Sequence, residues 1–200
     1  MITGDLGGVH VRKETSMKGP RTRAAILEAA AVAFSTSGYE MTTLEQIAEK
    51  LSVSRGTVLF HFESKRALLL EIVQPLFRSL DVVIGEFEAF PVPLTARLRR
   101  QLLTRYCDVL NEHRPATTLL VRDLTTIIQM HWPDGGPSIT NRFMALLQGH
   151  HPDDSLKLRS AATVGAILRP MALPPIDPSL LDAEARQVIV NCALAAYTAS

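Results

Sequence analysis

The sequence contains no uninterrupted apolar run of about 18 residues, so no membrane-spanning helix is expected. The opening stretch MITGDLGGVHVRKE lacks the apolar core of a secretory signal. Cysteine is scarce: Cys107 and Cys192 stand far apart, with no CxxC pair. That excludes a disulfide framework and fits a reducing, cytoplasmic setting in which both thiols act as small hydrophobes. No GxSxG, P-loop or HExxH signature occurs, so no catalytic residues and no cofactor are expected. His150 and His151 with Asp153 and Asp154 lie in a proline-containing link, and His113 follows Cys107 by six residues. Neither spacing is that of a metal site, so no metal is expected.

What the 200 residues do contain is 46% apolar and 20% charged side chains, enough for a packed core. The net charge of +1 hides an asymmetry. Residues 11–66 carry nine Lys/Arg against six Glu, while residues 67–200 are close to balance. A basic excess at one end points weakly to a polyanionic partner there.

The apolar period is helical nearly throughout, and strand-like alternation is missing. Residues 1–17, with Gly4, Gly7 and Gly8, read as a flexible arm, and Met17 offers a second possible start. Nine helices are predicted: about 20–37, 43–50, 54–60, 64–88, 94–112, 115–131, 138–148, 153–170 and 179–198. Gly38 is the expected stop of the first and Pro170 of the eighth. Pro75 is expected to kink the fourth. The fold class is therefore all-α, with a boundary near Ser64 between short helices and longer apolar ones.

Residues 42–65 read TTLEQIAEKLSVSRGTVLFHFESK. Either Thr42 with Glu45 or Thr43 with Gln46 makes a capping box. Leu44, Ile47, Ala48 and Leu51 form one narrow apolar face on a helix too short to stand alone. Val53 between two serines is placed to plug the angle to the next helix, which Ser54 can cap. Val58 returns to the same core. This is the spacing of a helix-turn-helix, though two short helices can also simply pack. In that motif the exposed residues of the second helix, Ser54, Arg55, Thr57, Phe60 and His61, would lie in the DNA major groove.

Residues 21–69 resemble the N-terminal domain of the TetR family of transcriptional regulators. The resemblance rests on Thr22-Arg23, Ile26-Leu27, Ala29-Ala30, Gly38, Thr42-Thr43, Ile47-Ala48, Val53-Ser54, Gly56-Thr57, His61-Phe62 and Ser64-Lys65, in order and spacing. It implies a DNA-binding domain over 18–65 and a ligand-binding and dimerisation domain over 66–200. It implies that Thr43 offers its hydroxyl and backbone N–H to phosphate. Arg55 and Thr57 would face base edges, Arg55 matching guanine O6 and N7. Gly56 would let the backbone approach DNA. Phe60 and His61 would lie against the sugar-phosphate backbone, and Lys65 would reach a phosphate. Two positions depart from the family pattern. Ser52 stands in place of the usual turn glycine, and Leu59 in place of a phosphate-binding tyrosine. Basic residues Arg12, Lys13, Lys18, Arg21 and Arg23 could lie along phosphates or enter the minor groove, or simply be solvated.

The resemblance further implies a homodimer on a palindromic double-stranded operator and a small-molecule effector, most simply as a repressor. An activator, or an all-helical enzyme or metal-binding protein, stands as the alternative. Candidate lining of an effector pocket is Phe77, Leu80, Leu103, Tyr106, Cys107, Ile127, Met130, His131, Trp132, Phe143 and Leu147, each of which ordinary core packing would also explain. Candidate dimer-interface residues on the last two helices are Ala161, Ala162, Gly165, Val188, Cys192, Ala193 and Ala196, small side chains that let helices approach closely.

Overall fold

The computed structural model describes residues 19–123, 127, 139–172 and 182–199. Met130, His131, Trp132 and the N-terminal arm with Arg12, Lys13 and Lys18 lie outside the described residues. Among the described residues there are nine α-helices and no strand: α1 Pro20–Ser37, α2 Leu44–Lys50, α3 Arg55–His61, α4 Lys65–Glu88, α5 Ala96–Glu112, α6 Arg114–Arg122, α7 Ile139–Gln148, α8 Asp154–Ala172 and α9 Ala183–Thr198.

The local signals account for most boundaries. Pro20 opens α1, where its missing N–H costs nothing, and Gly38 closes it at φ 91°. Ser64 and Thr95 cap α4 and α5 by accepting from Ala67 N–H and Leu98 N–H. α5 therefore starts at 96, and Leu94 is buried instead. Asp182 caps α9, accepting from Ala185 N–H at 2.8 Å, so that helix starts at 183 rather than 179. Pro75 lies within α4, which remains helical on both sides of it.

Two expectations fail for tertiary reasons. The predicted helix over 115–131 is interrupted at Asp123, which leaves helical geometry at φ −118° and ψ 34°; Ile127 is helical again, and the rest of 124–131 lies outside the described residues. Its carboxylate accepts the N–H of Tyr39 at 3.3 Å. Pro170 does not end α8, which continues to Ala172. A proline in the last turn forfeits one hydrogen bond, and Met171 beyond it is buried.

α4 is the spine, about 36 Å long for 24 residues. Its stripe Leu68, Leu69, Val73, Leu76, Phe77, Leu80, Val83, Ile84 and Phe87 is buried along its full length. At its start it packs on α1; further along it packs on α5, α6 and α7. Arg142 of α7 grips the far end of α4 through Glu88, with Nε and Nη2 each on one carboxylate oxygen at 2.8 and 2.7 Å, and also pairs with Asp81. That hydrogen bonding holds the Glu88 carboxyl below the usual carboxylate range. α8 and α9 pack side by side, and α9 is tied to α5 by Arg186 and Asp108 at 3.1 Å. The hydroxyl of Tyr197 donates to Leu147 O at 2.8 Å, joining α9 to the end of α7.

Candidate nucleic-acid interface

The geometry of residues 42–65 follows from two caps and one turn. Of the two possible capping boxes the structure forms Thr43 with Gln46: Gln46 N–H donates to Thr43 Oγ1 at 3.2 Å, and Thr43 N–H donates to Gln46 Oε1 at 2.8 Å. Thr42 is buried, its hydroxyl donating to Gly38 O at 2.8 Å. It thereby ties the end of α1 to the start of α2. The Thr43 backbone N–H is consumed by the cap and is not offered to phosphate; its hydroxyl keeps a proton to donate.

α2 ends in a Schellman turn. Val53 N–H bonds Ala48 O and Ser52 N–H bonds Glu49 O, both at 3.0 Å. The turn demands a left-handed residue, and Ser52 supplies it at φ 54°. A non-glycine there costs roughly 1–2 kcal/mol, which the fold absorbs. Val53 packs on the core beside Leu51, while Ile47, Ala48 and Val58 are buried in the elbow between α2 and α3. Ser54 Oγ then accepts Thr57 N–H at 3.0 Å, capping α3.

With the apolar side of α3 committed to the elbow, its other side faces out. Ser54, Arg55, Gly56 and Phe60 are exposed, Phe60 at 62% of its surface; Thr57 and His61 are half-buried. The hydroxyls of Ser54 and Thr57 bond each other at 3.0 Å. The rings of Phe60 and His61 meet edge to face with centroids 5.2 Å apart. Lys65 opens α4, its ammonium donating to Glu40 O at 3.2 Å and lying 4.2 Å from the Tyr39 ring centre. A Cβ added at Gly56 would meet only Ser54 Oγ, at an ordinary 3.5 Å. Nothing within the chain therefore requires glycine there. Arg55 pairs with Glu45 of α2, Nε to Oε1 at 2.6 Å. Leu59 is partly buried against the core.

Some residues lie elsewhere than the sequence suggested. Arg23 is paired with Glu71 of α4 and stacked 4.7 Å from the Phe62 ring centre, so it fastens α1 to α4. Two residues that the sequence did not single out connect the N-terminal helices to α6. Arg122 donates from Nη1 to Ser35 O at 3.0 Å and Thr36 O at 2.8 Å, serving the last carbonyls of α1, and Asp123 holds Tyr39 N–H. A cation at a helix C-terminus complements the dipole, but nothing in the local pattern links positions 87 residues apart.

The candidate pocket residues Phe77, Leu80, Leu103, Tyr106, Cys107, Ile127, Phe143 and Leu147 are all buried in one apolar core. Tyr106 and Phe143 stack with centroids 4.2 Å apart. Burial pushes the Tyr106 hydroxyl pKa up, and burial with Asp108 nearby pushes the Cys107 thiol up to about 11. A separate cleft of about 510 Å³ lies between the end of α4 and α5, lined by Phe87, Phe90 and Leu98 together with Glu86, Arg100 and Arg105. Of the candidate dimer residues, Ala161, Ala162, Gly165, Val188 and Cys192 are exposed and Ala196 is half-exposed. Ala193 is a correction: it is fully buried inside its own chain, on the inward side of α9. No described helix is long and apolar enough to cross a membrane, and no cluster of three metal-ligating side chains occurs among the described residues.

Residues 26–72 match the family described as "Bacterial regulatory proteins, tetR family". The HTH-type transcriptional regulator RutR of Escherichia coli O157:H7 is 28% identical over 172 residues, spanning 82% of this chain and 72% of RutR. The HTH-type transcriptional regulator TtgR of Pseudomonas putida is 43% identical over 69 residues, 34% of this chain and 33% of TtgR. Among solved structures, the TetR-family regulator PfmR of Thermus thermophilus superposes with a TM-score of 0.56 at 22% identity, covering 86% of this chain and 96% of PfmR. A TetR-family regulator from Pseudomonas syringae pv. tomato gives 0.56 at 21%, covering 92% and 96%. The structural neighbours share the fold, and the sequence relatives are regulators rather than enzymes. Residues 26–72, with the capped α2, Schellman turn and outward-facing α3, thus carry the DNA-binding helix-turn-helix of the TetR family of transcriptional regulators.

Proposed function

We propose that this regulator is a cytoplasmic homodimer that binds a palindromic operator through residues 18–65 and represses transcription until a small molecule binds within residues 66–200. The carrying observation is the first turn of α3. Arg55 is exposed beside Gly56, where the chain itself has room for a larger residue. A glycine in a helix with no internal reason for it leaves room for a close external partner. In this reading Arg55 and Thr57 meet base edges, while Thr43, Ser54, Phe60, His61 and Lys65 meet the sugar-phosphate backbone.

Dimerisation is supported by the outward faces of α8 and α9. Leu158, Ala161, Ala162 and Gly165 on one helix, and Val188 and Cys192 on the other, are exposed and mostly small or apolar. A two-fold pairing there would set two α3 helices against successive half-sites. Effector binding is supported by the cleft between the end of α4 and α5, which has the volume of a small-molecule site.

The test is selection from a random-sequence duplex library with the full-length chain. A two-fold symmetric sequence should be enriched, and Arg55→Ala should lose discrimination at one base pair by roughly 5- to 150-fold, as for a lost bidentate contact. Recovery of no sequence preference would overturn DNA recognition by α3.

A further inference from the structure

The ion pair between Glu45 and Arg55 has no obvious place on a DNA-binding face. Their side chains are 55% and 57% exposed, and exposed pairs contribute little to stability. A carboxylate beside DNA repels phosphates. Arg55 is also poorly placed for its own helix, because a cation in the first turn opposes the dipole. Glu45, in the first turn of α2, does complement the dipole of its own helix, so it is Arg55 that the fold of its segment leaves unexplained.

The contact geometry supplies a reason. Glu45 Oε1 lies 2.6 Å from Arg55 Nε. Glu45 stands in the first turn of α2, between the two members of the Thr43–Gln46 capping box, so its backbone is anchored. A carboxylate on the Nε side of a guanidinium leaves the two terminal amino groups at the opposite end. Those two form the parallel fork that matches guanine O6 and N7. An unrestrained arginine must give up much of its rotamer freedom to make that contact. One held from behind has already done so before DNA arrives.

We infer that Glu45 is a positioning residue: it orients Arg55 end-on for a guanine and thereby trades general DNA affinity for base discrimination. The inference rests on the DNA-binding reading above and names a determinant of its specificity. It gives Glu45→Ala an unusual signature. Affinity for an unrelated duplex should rise, because a repelling charge is gone. Affinity for the cognate duplex should fall, because Arg55 is no longer held. A purely structural residue would move both downward, and a purely repulsive charge would move both upward.

The experiment uses the full-length chain, the duplex it enriches from a random library, and a scrambled duplex of equal length. Fluorescence anisotropy at fixed salt gives both dissociation constants for wild type, Glu45→Ala, Glu45→Gln, Arg55→Ala and the Glu45→Ala/Arg55→Ala double variant. The cognate-to-scrambled affinity ratio should drop roughly tenfold in Glu45→Ala, within the range a bidentate guanine contact supplies. Glu45→Gln, which keeps an acceptor, should recover part of it. The double variant should match Arg55→Ala in discrimination. Replacing the contacted guanine by 7-deazaguanine should weaken wild type and leave Glu45→Ala less affected. Equal ratios in wild type and Glu45→Ala, or no 7-deazaguanine effect at any guanine in wild type, would overturn the role of Glu45 while leaving DNA binding intact. Failure to enrich any duplex would instead remove the reading on which it rests, and the inference with it.

Discussion

Gly56→Ala separates what α3 needs for folding from what it needs for DNA. The added methyl meets Ser54 Oγ at 3.5 Å, an ordinary contact, and position 56 has helical geometry. Glycine in a helix interior costs about 0.8–1.0 kcal/mol against alanine. Position 56 lies in the first turn of a seven-residue helix, so roughly half of that is a fair figure. A gain of about 0.5 kcal/mol in a chain of this length should raise the melting temperature by roughly 1–2 °C. The effect on DNA has the opposite sign. If the α3 backbone lies against the duplex, the methyl must be accommodated at a packed surface, which costs about 1–3 kcal/mol. That is roughly a 5- to 150-fold weaker complex. Thermal melts and anisotropy titrations on the selected duplex read the two quantities independently. A variant that melts higher and binds equally well would show that the first turn of α3 does not approach DNA closely. One that melts lower would refute the argument about internal room.

Three further perturbations test other parts of the molecule. Ser52→Gly should stabilise the chain by about 0.5–1 kcal/mol in a denaturant titration, because relief of the left-handed φ of 54° outweighs the entropy of glycine. Val188→Glu, on the exposed face of α9, should give folded monomers in sedimentation, and iodoacetamide should then label Cys192 faster than in wild type, while Cys107, buried with its pKa raised to about 11, should stay unlabelled in both at mildly alkaline pH; an unchanged sedimentation coefficient would place the dimer elsewhere. Arg122→Ala removes both hydrogen bonds from Nη1 to the end of α1 and should lower stability by about 1–2 kcal/mol by denaturant midpoint, with any effector-dependent loss of DNA affinity reduced as α6 uncouples from α1.

The N-terminal helices were legible because their signals are local. Capping residues, the left-handed turn and the i, i+3, i+4, i+7 face act within about seven residues, so Thr43, Val53, Ser54, Val58 and Ser64 announce α2, α3 and the start of α4 from the sequence alone. The all-α class followed from the same periodicity. Where two local solutions competed, at Thr42 and Thr43, only packing decided, because Thr42 was needed to bond Gly38 O. Long-range partners left no trace in the pattern. The break at Asp123, the Arg122 contact with α1 and the Glu45–Arg55 pair each join residues whose separation in sequence carries no period. The small faces of α8 and α9 were visible as composition, but which alanines turn inward depends on how those two helices pack. Ala193 is buried against its own chain while Cys192 beside it is exposed, a difference set by about 100° of rotation per residue once α9 has docked on α8 and α5.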